Sequence, residues 1–184
     1  MTSAAVTPAA SALDALRDAL PEEAKDLKLN LGSVLTTGAT LTKDQTWGIA
    51  LTCAYFIGND KLRAAIAQDA AAAGVSAAVV SDAKAAAAIM GMNTIYYRFR
   101  HMVKNPAYQS KSPRLRMQRM ANPATSKADF ELFSLAVAVL EGCEMCVGSH
   151  EASILKHGLT DEHVHETVRI AAACKGVAVA LSFA

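Results

Sequence analysis

The chain repeats itself. Displaced by 84 residues, Thr42-Lys43 falls on Ser126-Lys127, Gly58 on Gly142, Gly74 on Gly158 and Ser76 on Thr160, without a gap. These residues are helix punctuation. Serine and threonine supply the oxygen that caps a first turn, and glycine takes the left-handed conformation that closes a last one. Apolar positions between them also coincide: Leu51 with Leu135, Tyr55 with Val139, Val75 with Leu159, Val80 with Val164. Each copy, about 42–93 and 126–180, reads as a three-helix unit whose apolar stripe it cannot bury alone. The two copies are expected to pack about a pseudo-twofold axis.

Composition agrees with helices throughout. The apolar share is 52% but aromatics make up only 5%, and alanine is abundant, which favours closely packed helices over a strand-rich sandwich. The fold class is therefore all-α. At 184 residues the chain is read as one domain over 11–184, preceded by a loose N-terminal tail, Met1 to Ala10, without periodic apolar positions. Ser11-Ala12-Leu13-Asp14 and Pro21-Glu22-Glu23 open two helices ahead of the first unit. The pattern predicts a helix from Ser76 to Met90, a separate stretch from Thr94 to Val103 after Gly91, and a short basic helix from Arg114 to Met120.

Eighteen basic and seventeen acidic residues leave a net charge of +1, so no nucleic-acid or anionic-membrane surface is indicated. The longest apolar runs, such as Leu132 to Leu140, fall well short of the ~18 residues needed to span a bilayer. Cysteines at 53, 143, 146 and 174, in a chain that does not begin like a secretory leader, point to a reducing compartment, with the cytoplasm as the expected location.

The repeat is most informative where its copies differ. Asn59 stands opposite Cys143, Leu62 opposite Cys146, Ile66 opposite His150 and Trp47 opposite Glu131. Were these residue types needed by the scaffold, the first copy would carry them too. Cys53 and Cys174 fall opposite Val137 and Met90, which marks both as small core residues.

Cys143, Cys146 and His150 are spaced to share one helix face. A free thiol titrates near ~8.5, and its thiolate is the species that attacks peroxides and disulfides. Following the helix breaker Gly142, Cys143 is expected in the first turn, where free amides and the helix dipole favour an anion. His150, one turn beyond Cys146, can take its proton. Glu131, a carboxylate in the middle of an otherwise apolar helix, either orients and charge-balances His150 or is a surface or structural residue. A structural zinc site would require a second close pair, which His150, His157 and Cys174 do not supply. No metal is expected. The alternating apolar strand that precedes a thioredoxin motif is absent as well. What is left is a redox dithiol on a helical scaffold.

Several motifs in one order resemble the alkyl hydroperoxide reductase AhpD family of the carboxymuconolactone decarboxylase-like superfamily. They are Leu20-Pro21-Glu22-Glu23-Ala24-Lys25-Asp26-Leu27-Lys28-Leu29-Asn30-Leu31, Ile89-Met90-Gly91-Met92-Asn93, Ala121-Asn122-Pro123, and Phe130-Glu131-Leu132 leading into Gly142-Cys143 and Cys146 through His150. The resemblance implies a homo-oligomer, usually a trimer, with thiol-dependent peroxidase activity and no tightly bound cofactor. It also implies reduction of a partner AhpC-type peroxiredoxin, with electrons from dihydrolipoamide on a lipoyl-bearing 2-oxoacid dehydrogenase component. By the same resemblance Cys146 forms the sulfenic acid, Cys143 is proton donor and disulfide partner, and His150 and Glu131 form a proton relay. Met145 departs from those members with histidine directly before the second cysteine, and Glu144 adds a negative charge beside the thiols. The alternative is a lactone decarboxylase-like, non-redox enzyme on the same scaffold, with His150 and Glu131 as acid and base and no need of Cys143.

Overall fold

The computed structural model describes residues 11–36 and 40–184. The expected tail, residues 1–10, lies outside the described residues. Among the described residues every regular element is a helix. Two helices, α1 (Ala12–Asp18) and α2 (Lys25–Leu35, entered through a 3-10 turn at Glu22–Ala24), precede the first unit. That unit contains α3 (Lys43–Ile57), α4 (Asp60–Ala72) and α5 (Ala77–Val103). Two single turns, α6 (Pro106–Gln109) and α7 (Gln118–Ala121), lead to α8 (Lys127–Leu140), α9 (Glu144–Lys156) and α10 (Asp161–Ala180).

Local chemistry sets the helix ends. Thr42 and Gln45 form a reciprocal capping box at the start of α3, and Ser126 accepts from the Asp129 amide at the start of α8. Gly58, Gly74, Gly142 and Gly158 all have positive φ and stand at the four breaks between the unit helices. Lys43 and Lys127, Asp60 and Glu144, and Ala77 and Asp161 begin corresponding helices, each pair separated by the sequence offset of 84 residues.

Packing joins the units closely. Helix α3 lies on α5 as α8 lies on α10, and α5 meets α8 as α10 meets α3. At the centre, the Phe133 ring rests on Gly48, where an added Cβ would come within 2.2 Å of the ring. Phe130, Phe133, Leu135, Ile49, Ile170 and Val177 are fully or almost fully buried around this contact. Gln45 Nε2 donates to Asp129 Oδ1 at 2.8 Å, a hydrogen bond between two positions 84 residues apart. Asp69 on α4 accepts from the amides of Ala12 and Leu13, both at 2.9 Å, and so ties α1 to the first unit.

Two expectations about the linker region are corrected. Helix α5 runs unbroken through Gly91, whose cost of about 1 kcal/mol relative to alanine is small beside the burial of Met90 and Thr94 on either side. The basic segment 114–120 is helical only from Gln118: Arg114 is left-handed at φ +52°, and Met117, with φ −135° and ψ 35°, is still outside the helical region. The 118–125 stretch is instead strapped to α5 by Asp82. Its carboxylate accepts from Arg119 Nε and from the Thr125 amide and hydroxyl, each at 2.7 Å. Burial pushes the Asp82 carboxyl up, but these hydrogen bonds and one from the Ala124 amide outweigh it and hold the group below its ordinary value.

No helix among the described residues is long and apolar enough to cross a membrane.

Candidate active site

The turn at Gly142 delivers Cys143 to the start of α9. Gly142 has φ +64°, which a side chain would make costly, and the turn brings α9 back against α8. Cys143 is the N-cap residue and not a first-turn residue, because its φ of −87° and ψ of 90° are extended. Cys146 occupies the first turn in its place, and its sulfur is joined to that of Cys143 in a disulfide, with Cα atoms 5.2 Å apart. The equivalent N-cap in the first unit is Asn59, whose Oδ1 accepts from the Leu62 amide at 3.0 Å. Cys143 provides no such side-chain cap. The first-turn amides of α9 are therefore left to favour negative charge on a reduced sulfur.

His150 lies one turn beyond Cys146 on the same helix, and both are buried. Its Nδ1 is 2.5 Å from Glu131 Oε2, which places the proton of a neutral imidazole on Nδ1 and leaves the Nε2 lone pair free to act as a base. Glu131 is 4% exposed, so its charge needs compensation. Its second oxygen, Oε1, receives Lys127 Nζ at 2.9 Å. Burial pushes the Glu131 carboxyl up, but the hydrogen bonds and positive charges of His150 and Lys127 prevail and lower it to about 2.

Lys127 was not among the candidate residues read from the sequence. It is the first residue of α8, four positions before Glu131, and that i,i+4 spacing was a usable signal. Its Nζ also donates to the Met120 carbonyl at 2.6 Å, linking the carboxylate to the segment held by Asp82. A chain of contacts thus runs from Lys127 through Glu131 to His150, and Cys146 follows one turn away.

Beside this chain is a cavity of about 510 Å³. Cys146, His150 and Lys127 reach its wall, and the rest of the lining is largely thioether and aromatic, including Met117, Met120, Met145 and Tyr97. Cys143 is 1% exposed and packs behind Cys146 against Met90, Val137 and Ala138. The two thiols therefore differ in access, Cys146 facing the cavity and Cys143 facing the core. Gly148 has nothing within 4 Å of the place a Cβ would take, so packing does not demand glycine there.

The other candidate groups lie elsewhere. Cys53 and Cys174 are free and fully buried. The neighbouring Cys174 thiol and burial together push the Cys53 thiol well up, as befits an unreactive core pair. His157 closes α9, with Nδ1 2.7 Å from the Ser153 carbonyl, away from the dithiol. Among the described residues no group of three or more His, Cys, Asp or Glu side chains is placed to hold a metal ion.

This is the site of an oxidoreductase-type enzyme, with a redox-active dithiol backed by a buried histidine and carboxylate. The carboxymuconolactone decarboxylase family matches residues 106–184, the part of the chain that carries the dithiol. Over nearly its whole length the chain is similar to proteins named alkyl hydroperoxide reductase AhpD. It is 55% identical to that of Anaeromyxobacter dehalogenans strain 2CP-C, over 95% of this chain and 92% of the relative. Identity is 48% with the Maricaulis maris protein, over 92% and 97%, and 42% with that of Brucella anthropi, over 94% and 97%. The chain belongs to the alkyl hydroperoxide reductase AhpD family, within the carboxymuconolactone decarboxylase-like superfamily.

Proposed function

We propose that this protein is a thiol-dependent alkyl hydroperoxide reductase. It reduces hydroperoxides directly, and also the disulfide of a partner AhpC-type peroxiredoxin, using electrons from dihydrolipoamide on a 2-oxoacid dehydrogenase component. The observation that carries this reading is the chain from Lys127 through Glu131 to His150, ending one turn from the one active-site sulfur that faces a cavity.

In the reduced protein, His150 Nε2 takes the Cys146 proton, and the imidazolium is balanced by Glu131. The Cys146 thiolate attacks the terminal peroxide oxygen, forming the S–O bond as the O–O bond breaks. The departing alkoxide takes the proton of the Cys143 thiol and leaves as the alcohol, and the Cys146 sulfur becomes a sulfenic acid, oxidised by two electrons. The Cys143 thiolate, held behind it by the turn at Gly142, attacks that sulfur, and the hydroxide it displaces takes the proton held on His150 and leaves as water, giving the Cys143–Cys146 disulfide and a neutral imidazole. A dithiol then reduces the disulfide by exchange through a mixed disulfide, and the lipoyl group becomes oxidised. In this reading Cys146 is the nucleophile, Cys143 the proton donor and resolving thiol, and His150 and Glu131 the relay, with Lys127 holding Glu131 in place.

The scaffold is read as one domain over 11–184 whose two units are related by a pseudo-twofold axis, and the Gln45–Asp129 hydrogen bond supports placing that axis between α3 and α8. Ile95, Phe99 and Met102 form an exposed apolar stripe at i, i+4, i+7 on α5, which supports a contact between subunits; the homotrimer is the assembly proposed from the family resemblance. The cytoplasm is the proposed location.

Lipoamide-dependent peroxide consumption tests the function. Turnover is expected from the wild type and lost in Cys146→Ser. A lactone decarboxylase-like enzyme would instead survive thiol alkylation and the loss of Cys143.

A further inference from the structure

Asn93 is a buried polar residue that neither the fold nor the relay uses. It is 3% exposed, one turn beyond Met90 on α5, and Met90 packs against Cys143 and Cys146. Both Met90 and Asn93 line the cavity that Cys146 faces. The position equivalent to Asn93 in the second unit is Val177, fully buried and apolar, so the scaffold does not require an amide there.

The orientation of the amide is fixed by its partner. Asn93 Nδ2 lies 3.4 Å from Met120 Sδ, and a thioether only accepts hydrogen bonds, so the NH2 group must be the end that meets it. The carbonyl oxygen, Oδ1, is buried without any hydrogen-bond partner. An unpaired acceptor in an apolar wall costs stability, and such a group is commonly kept because something else pairs with it. That something must carry a donor, and since Oδ1 is closed to solvent as the side chains stand, it reaches the oxygen from the cavity Asn93 lines only when that wall shifts. Met117, Met120 and Met145, flexible and polarizable, can shift to admit it.

We propose that Asn93 binds substrate by accepting, at Oδ1, the hydrogen bond of a hydroperoxide's terminal O–H, and so aims the terminal oxygen at Cys146. This rests on the peroxidase reading above. In the attack, the S–O bond forms to the oxygen that bears this hydrogen and the O–O bond breaks. The alkoxide leaves and is protonated, and the O–H held by Asn93 stays on the oxygen that becomes the sulfenic acid. Cys146 is oxidised by two electrons and the peroxide is reduced by two. Asn93 therefore keeps the same hydrogen bond from bound peroxide to sulfenic acid. Reagents that attack or are attacked by Cys146 without an O–H gain nothing from it.

The experiment compares two reagents on fully reduced protein in single-turnover stopped flow: cumene hydroperoxide, which carries the O–H, and methyl methanethiosulfonate, which has no hydrogen-bond donor. Asn93→Leu is expected to slow the hydroperoxide reaction about tenfold and to leave the thiosulfonate reaction within about twofold of wild type. Asn93→Asp retains the acceptor, and its ratio of the two rate constants is expected to stay within about threefold of wild type, because the ratio cancels any change in thiolate reactivity. Equal slowing with both reagents in Asn93→Leu, or no slowing with either, overturns the proposal. Should Asn93→Leu fail to fold, a tenfold loss of the ratio in Asn93→Asp overturns it as well. A wild-type Cys146 that reacts with the thiosulfonate but not with the hydroperoxide overturns the peroxidase reading, and this inference with it.

Discussion

Asn59 and Cys143 hold the same N-cap position in the two units, and only Asn59 closes it. The Asn59 side-chain oxygen, Oδ1, accepts from the Leu62 amide, whereas Cys143 leaves the first turn of α9 without a side-chain cap and turns its sulfur to Cys146. The scaffold's ordinary solution at this position is a capping side chain, and the second unit has given it up for a thiol.

Restoring the cap should therefore restore stability and remove the chemistry. In reduced protein, Cys143→Ser is expected to be about 1 kcal/mol more stable than Cys143→Ala, read from urea unfolding, because serine caps and alanine does not. Treated with peroxide, Cys143→Ser should stop at a sulfenic acid on Cys146, trapped as a single dimedone adduct by mass spectrometry. Disulfide formation or full turnover by that variant would contradict the resolving role of Cys143.

The Glu131 carboxyl, held at about 2 against an ordinary value of 4.5, links stability to pH. A carboxyl lowered by folding contributes its stabilisation in full above the unfolded-state value and loses it as pH falls through the folded-state value. Wild-type stability should thus hold above about pH 5 and decline toward pH 2. In Glu131→Gln, urea unfolding at several pH values should show a shallower decline. An identical pH slope in the two proteins would show that the carboxylate is not held by His150 and Lys127.

His150→Phe removes the base and leaves Glu131 with Lys127 alone. The rate of Cys146 oxidation at neutral pH is expected to fall about 10²-fold or more, with a smaller loss for Lys127→Met, which removes a partner of Glu131 but not the base. Stopped-flow rates on reduced protein would check both, and a Lys127→Met defect larger than that of His150→Phe would reverse the assigned order of the relay.

Much of this was legible in the sequence, for a physical reason: caps and stops are local. Thr42 with Gln45, Ser126 and the four glycines at the breaks determine helix ends through contacts within a few residues, so the 84-residue offset could be read before any packing was known. Glu131 was legible because a carboxylate in the middle of an otherwise apolar stretch of helix needs a partner. Three features were not. The continuity of α5 through Gly91 depends on burial on both sides of it, which no local signal reveals. The shape of the 118–125 segment depends on Asp82, 37 residues before Arg119 and 43 before Thr125, whose role appears only when those two come to it. Lys127 had the right spacing to Glu131, but it also stood at the start of a helix where a solvated lysine is ordinary.

The strap also yields a prediction. Asp82→Ala leaves Arg119 and the Thr125 amide without their acceptor and should cost roughly 2–3 kcal/mol, seen in urea unfolding. Because the strap carries Met120 on the cavity wall, hydroperoxide reactivity should fall with it. Unchanged stability would mean that the 118–125 segment is held by other contacts.

The central claim is that Cys143 and Cys146 cycle between dithiol and disulfide with Cys146 taking the oxidising equivalent. It is tested most directly by following peroxide loss with dihydrolipoamide as sole reductant, for wild type and Cys146→Ser side by side. The wild type is expected to turn over repeatedly, with the Cys143–Cys146 disulfide recovered when reductant runs out, and Cys146→Ser to show no turnover above background. Wild-type rates from Cys146→Ser would contradict it.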